Sequence, residues 1–363
     1  MKKIILCFLL CTLYFFILPA PCIALEEDVH YDALLEALPE EYAEYFLNGE
    51  GRVTLPTLPD FLALCFDSLR SVLLEGTGSL KHTMALILLC SLFTMLEKSF
   101  REQRAAGALR ICVLLSGLLC IGQALPSLFS LASAHLEKLS GFLSGLLPIL
   151  SSINLAMGGV NSATVCTVAI SVFLSLTGEW CLGLLFPLQK ICFAFDLTAL
   201  ICENTGLSSL AGSIKKMFLF LLSGISAFIL AVFAFQNLVA AKTDSAALRA
   251  FRFTAGGFVP MVGSALSESS KTLSAGLDLI RSTVGAVAVI SILLMLLVPL
   301  SSLFVYSILF SFSSSFAKAL ENDLLSSLFS IASSTVNGLI ALIILCDLPL
   351  ILCLAISLSS TIA

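Results

Sequence analysis

The chain has 363 residues, of which 58% are hydrophobic and only 12% are charged, and its mean hydropathy is +1.06. These values exclude an ordinary soluble domain, and the net charge of −5 provides no basic surface for nucleic acid. Continuous apolar runs of about 20 residues recur, which is the length of a helix that crosses a bilayer. The composition therefore predicts an all-α, polytopic helical membrane protein.

Residues 1–24 have the pattern of a secretory signal peptide. Lys2 and Lys3 precede the apolar core Ile4–Leu18, and small residues lead up to a cleavage position after Ala24. We expect this peptide to be cleaved; the alternative is a retained first span.

Residues 25–79 form the predicted extracytoplasmic segment. Between Leu25 and Asp60 there are ten acidic residues and one basic residue, Arg52. This stretch is either a docking segment for a partner or a solvated leader that is easily translocated. Phe61–Leu74 is dense in apolar residues and is expected to lie on the bilayer surface or to pack on the spans.

Residues 80–363 form the predicted multi-pass domain. Its apolar runs predict about seven spans, at Leu80–Leu96, Ile111–Leu131, Leu139–Val160, Ala163–Pro187, Met217–Ala240, Gly285–Phe310 and Val336–Ser359. Two connectors, at 98–110 and 241–283, are the basic ones, and such connectors remain in the cytoplasm. Seven alternating spans that start outside place both there, with Lys215-Lys216 as the exception. Lys190–Glu203 is too short and too charged to cross alone, so we expect a re-entrant or interfacial piece.

Three acidic residues are intramembrane candidates: Asp347 near the middle of the last span, Glu179 in the outer third of its span, and Asp196 in the short re-entrant piece. An ionisable group inside a bilayer is costly and therefore pairs or faces a cavity. These acids indicate either a proton or ion relay or structural pairs. The histidines are far apart and there is no CxxC pair, so we expect no metal site and no cofactor. Enzymatic motifs are also missing, and we expect no catalytic residues.

The connector at 241–283 turns from glycine-rich to polar before the next span. Leu266, Leu273, Leu277, Ile280 and Val284 form one apolar stripe, and the other faces of this predicted helix are polar. Such a helix lies at the cytoplasmic surface or lines a water-accessible space between spans.

The same connector carries a motif that resembles the stage III sporulation protein AE family. The motif reads Arg252-Phe253-x-x-Gly256-x-Phe258-Val259-Pro260-x-Val262-Gly263, followed by Gly276 and by Arg281-x-x-Val284-Gly285. The order of signal peptide, short extracytoplasmic segment and several spans is also similar to the family. We expect Arg252, Pro260 and Gly263 to shape a broken, re-entrant entry into the span at 285–310, as a structural and coupling element.

The resemblance implies a non-enzymatic subunit of the channel or secretion-like complex that the mother cell builds in the membrane around the forespore. Its implied partners are other membrane subunits, a cytoplasmic ATPase and ring-forming proteins of the intermembrane space. The alternative hypothesis is a stand-alone permease or ion-coupled transporter that uses Asp347 and Glu179.

Overall fold

The computed structural model describes residues 58–99, 103–156, 160–202, 206–207, 209–229, 231 and 263–359, which are helical except for the turn at 320–322. Six helices form a bundle, and we number them in chain order: α1 (Leu58–Ser99), α2 (Gln103–Ala156), α3 (160–202), α4 (Ser209–Ile229), α5 (Gly263–Ala319) and α6 (Asp323–Ser359). Helix α3 has three consecutive parts, Val160–Ser175, the π-helical segment Leu176–Leu185, and Phe186–Cys202. The signal peptide and most of the acidic segment lie outside the described residues, as does the part of the motif from Arg252 to Val262.

The all-α membrane class is confirmed, since all six helices are long and apolar enough to cross a bilayer. The spans are divided differently from the prediction. Ile111–Leu131 and Leu139–Val160 were expected as two spans, but both lie largely within the continuous helix α2. The gap between the two predicted spans contains the polar residues His135, Glu137 and Lys138. In the bundle this stretch stays helical, because its apolar positions are buried and His135 has a buried partner.

Two further stretches are also helical without interruption. The piece at Lys190–Glu203, expected to be re-entrant or interfacial, continues α3 as far as Cys202, where the described residues of this helix end. Helix α5 begins at Gly263 and passes through Gly276 and Gly285 into its apolar half without a break. The expected broken entry is therefore absent between residues 263 and 285, and its remaining part lies outside the described residues.

The direction of the six helices follows from two hydrophobic clusters stacked along the bundle. One cluster joins the second half of α1, the first half of α2, the end of α3, the start of α4, the end of α5 and the start of α6. The other joins Leu64 of α1, the end of α2, the start of α3, Ile229 at the end of α4, the start of α5 and Leu350–Ile351 of α6. Successive helices therefore run in alternating directions, once each along the bundle.

A tight turn between α5 and α6 marks one end of the bundle, which we call the turn end. Glu321 adopts a left-handed conformation, with φ of 57°, and the N–H of Asn322 donates to the carbonyl of Ala317, which closes α5. The side chain of Asn322 accepts from the N–H of Leu325 at the start of α6 and donates to Thr94 Oγ1 of α1 at 3.0 Å. A cavity of about 410 Å³ opens here between α1, α2, α3 and α6.

This arrangement separates the two basic connectors. The connector between α1 and α2 lies at the turn end, whereas α5 begins at the opposite end. Our expectation that both lie in the cytoplasm depended on four spans between them, whereas the described residues place three helices there. The side of the membrane that each connector faces stays a prediction. Lys215-Lys216, the exception in the seven-span plan, belongs to the first part of α4 and so lies toward the turn end with exposed Arg110.

Helices α5 and α6 form the centre of the bundle. In an apolar 18-residue window of α5, 67% of the residues are buried, and in that of α6 61% are buried, against 22–28% in the other four helices. From Val284 to Leu296 nearly every side chain of α5 is enclosed by the rest of the chain. The outer helices expose large apolar side chains, such as Leu119 and Phe220, as lipid-facing helices do.

Candidate functional site

Helix α6 carries a row of residues whose side-chain or backbone polar groups bond to the surrounding helices, and we call this row the polar seam. Its members are Ser326, Ser333, Ser334, Thr335, Asn337, Cys346 and Asp347. Polar groups in an apolar bundle are expensive to bury unless they are bonded. Each contact of the seam therefore fixes α6 relative to one particular neighbour.

The deepest contact of the seam joins α6 to α2. His135 Nε2 lies 2.9 Å from Asp347 Oδ2, and both side chains are buried. The other carboxyl oxygen, Asp347 Oδ1, is also buried and has no hydrogen-bond partner in the structure. Two residues further on, Pro349 lacks the N–H that would bond the carbonyl of Leu345.

The residue before Asp347 contacts the π-helical segment of α3. Cys346 Sγ lies 3.3 Å from Cys181 Sγ, and both thiols are buried. The π-helical bonding is evident at the end of the segment, where the N–H of Phe186 bonds the carbonyl of Cys181, five residues earlier. Such segments are rare, and they occur often at functional sites.

Nearer the start of α6 than Cys346, a glycine without a side chain allows a close approach to α3. Gln189 Nε2 donates to the carbonyl of Thr335 at 3.1 Å. The Gln189 side chain lies directly over Gly338, where an added Cβ would come within 2.8 Å of Gln189 Cδ. Glycine at 338 is therefore needed for this bond, in the way that small residues allow membrane helices to pack closely.

The remaining contacts of the seam join α6 to α4 and α5. Lys215 Nζ donates to Ser334 Oγ. Ser307 Oγ of α5 donates to Asn337 Oδ1 at 2.6 Å, and Ser333 Oγ donates to the carbonyl of Ser307 at 3.3 Å. Together with the contacts above, the seam ties α6 to α2, α3, α4 and α5.

The three acids predicted as candidate sites have different surroundings. Asp347 is fully buried and paired, whereas Glu179 is exposed on the π-helical segment. Asp196 is half-buried near the end of α3, where Lys215 acts on it electrostatically. Because one acid is buried, one is half-buried and one is exposed, the three carboxylates do not form a continuous relay. No group of three or more potential metal-ligating residues occurs in the described part of the chain.

The motif residues are only partly visible. Arg252, Phe253, Gly256, Phe258 and Pro260 lie outside the described residues. Gly263, Gly276, Arg281 and Gly285 lie on α5, with Gly263 as its first residue and Gly285 buried. The structure therefore shows an uninterrupted helical continuation for the second half of the motif, and leaves its coupling role a prediction.

Sequence reasoning missed His135 and the thiol pair. His135 is four residues after Leu131 and four before Leu139, so its helical position on an apolar face was a usable signal. Cys181 and Cys346 are 165 residues apart, and nothing in their local sequence connects them.

Comparison with known proteins identifies the family. The family model described as stage III sporulation protein AE matches residues 40–361. The chain belongs to this family. It is therefore a sporulation protein, and its six apolar helices make it a membrane protein.

One curated relative supports the same assignment. The stage III sporulation protein AE of Bacillus subtilis (strain 168) is 21% identical over 238 residues, which are 64% of this chain and 60% of that protein. The chain thus matches less than two thirds of the relative's length. No solved structure matches the chain.

Proposed function

We propose that this protein is a non-enzymatic membrane subunit of a sporulation-specific channel or secretion-like complex that links mother cell and forespore. In this proposal it resides in the mother-cell membrane around the forespore and is required after engulfment. Its family membership over residues 40–361 supports the sporulation part of the proposal.

The observation that carries the subunit role is the enclosed α5–α6 hairpin. The polar seam of α6 bonds inward to four other helices, so the polar groups are used to hold the bundle together. The outer helices present apolar side chains that suit lipid or the helices of sister subunits. A bundle of this kind serves as a fixed scaffold on which further subunits assemble.

The partners in this proposal are other membrane subunits of the complex, a cytoplasmic ATPase and ring-forming proteins of the intermembrane space. Each kind of partner would bind a different part of the bundle. Membrane subunits would pack on the outer helices, and the soluble partners would bind at the two ends.

Deletion of the gene in the source bacterium tests the sporulation role. We expect engulfment to finish and development then to stop, with loss of heat-resistant spores. Complementation with the intact gene is the control. Affinity purification from sporulating cells should recover the membrane subunits and the ATPase. Normal spore numbers in the deletion strain would contradict the proposal.

A stand-alone permease is the second candidate, because buried Asp347 has one unbonded oxygen. Purified protein in liposomes distinguishes the two. Transport that Asp347→Asn abolishes, and that Asp67→Asn at an exposed acid of α1 leaves unchanged, would favour the permease. Absence of transport by the isolated protein is what the subunit proposal expects.

A further inference from the structure

Two buried thiols face each other between the π-helical segment and α6. Cys181 Sγ and Cys346 Sγ are 3.3 Å apart, although the residues are 165 positions apart in the chain. A disulfide has an S–S distance of about 2.05 Å, so the sulfur atoms need to approach by little more than about 1 Å.

The helices that carry these thiols are held together on the same face. Eight residues after Cys181, Gln189 bonds the carbonyl of Thr335, which lies eleven residues before Cys346. The two antiparallel helices are thus fixed beside each other at a second point. The thiols therefore meet because the bundle positions them, and the high effective concentration of one for the other favours an intramolecular bond.

We propose that Cys181 and Cys346 are a modification site at which hydrogen peroxide closes a reversible disulfide between the π-helical segment and α6. One thiol, as its thiolate, attacks a peroxide oxygen, which breaks the O–O bond and gives a sulfenic acid and one water. The sulfur of the second thiol then displaces the sulfenic oxygen, which leaves as a second water. Two electrons pass from the two sulfurs to the hydrogen peroxide, and one S–S bond replaces two S–H bonds.

The apolar surroundings select the kind of oxidant. Both thiols are enclosed by the bundle, so charged disulfides such as oxidised glutathione have no access, whereas hydrogen peroxide is small and uncharged. Cys346 is adjacent to Asp347, whose partner His135 belongs to α2. The disulfide would therefore join α3 covalently to α6, next to the position at which α6 contacts α2.

The disulfide is testable on the purified full-length protein in detergent. After hydrogen peroxide treatment, free thiols are blocked with N-ethylmaleimide, disulfides are reduced, and the new thiols are labelled with a polyethylene glycol maleimide. We expect the wild-type protein to gain two labels per chain. Cys181→Ser and Cys346→Ser should each lose both, because either change removes the whole pair.

Cys192→Ser is the matched control, because Cys192 is a buried thiol of the same helix α3. It should gain the same two labels as the wild type. Mass spectrometry should find a peptide pair joined through Cys181 and Cys346 in the oxidised wild-type protein. Absence of that linked pair would overturn the proposal, even if a serine variant fails to fold. Equal labelling of Cys181→Ser and wild type would overturn it as well.

Discussion

Replacement of His135 by alanine should destabilise the bundle. The change removes the one hydrogen-bond partner that the structure gives Asp347, whose other oxygen is already unbonded. Both carboxyl oxygens would then be buried without a partner. The group cannot reach water by a rotamer change, because the Asp347 side chain is fully enclosed.

The size of the loss depends on the charge state of the pair. A neutral hydrogen bond between membrane helices contributes on average about 0.6 kcal/mol, and at most about 1.7 kcal/mol. Removing one partner of a buried ion pair costs about 3–5 kcal/mol, because an uncompensated charge remains. Since Oδ1 has no alternative donor, we expect His135→Ala to lower the free energy of unfolding by at least about 1 kcal/mol.

Unfolding by sodium dodecyl sulfate in mixed micelles measures this free energy. His82→Ala is the matched control, because His82 is exposed and its ring bonds only the carbonyl of Gly78 in its own helix. A double-mutant cycle with Asp347→Asn then isolates the coupling between the two residues. If His135→Ala behaves like His82→Ala, the contact with Asp347 does not stabilise the bundle and the reasoning is wrong.

Two further predictions concern packing and topology. Gly338→Ala should lower the free energy of unfolding by about 1–3 kcal/mol, because the added Cβ displaces Gln189. Gly141→Ala is the control, because nothing lies within 4 Å of its added Cβ, and it should be neutral or slightly stabilising in the same unfolding experiment. Cysteine introduced at Gly107 and at Lys271 should react with an impermeant maleimide from opposite sides of the membrane, as measured on intact cells and on inverted vesicles. Labelling of both from one side would contradict the six-helix arrangement.

Hydropathy was sufficient to predict the helical membrane class, because a lipid-exposed helix needs apolar residues whatever its neighbours are. It was not sufficient to divide the spans. The stretch around His135 looked like a connector, since hydropathy counts a buried, paired histidine as a polar residue. The partner of that histidine is 212 positions away, so no local window contains the information.

The candidate site, too, was only partly predictable from the sequence. Asp347 was found from sequence because a carboxylate in the middle of an apolar span is unusual. Its pairing with His135 and the contact between Cys181 and Cys346 depend on how α2, α3 and α6 pack. The Arg252–Pro260 half of the motif lies outside the described residues, so its role stays a prediction.

The central position of α5 and α6 has a consequence for the order of synthesis. The ribosome produces α1 to α4 first, yet the helices around which they pack emerge last. Until α5 and α6 are synthesised, the residues of the earlier helices that bond to the polar seam, such as His135 and Gln189, lack those partners. The first four helices must therefore wait in the membrane as a loosely associated group, and final assembly begins only when the last third of the protein has been translated.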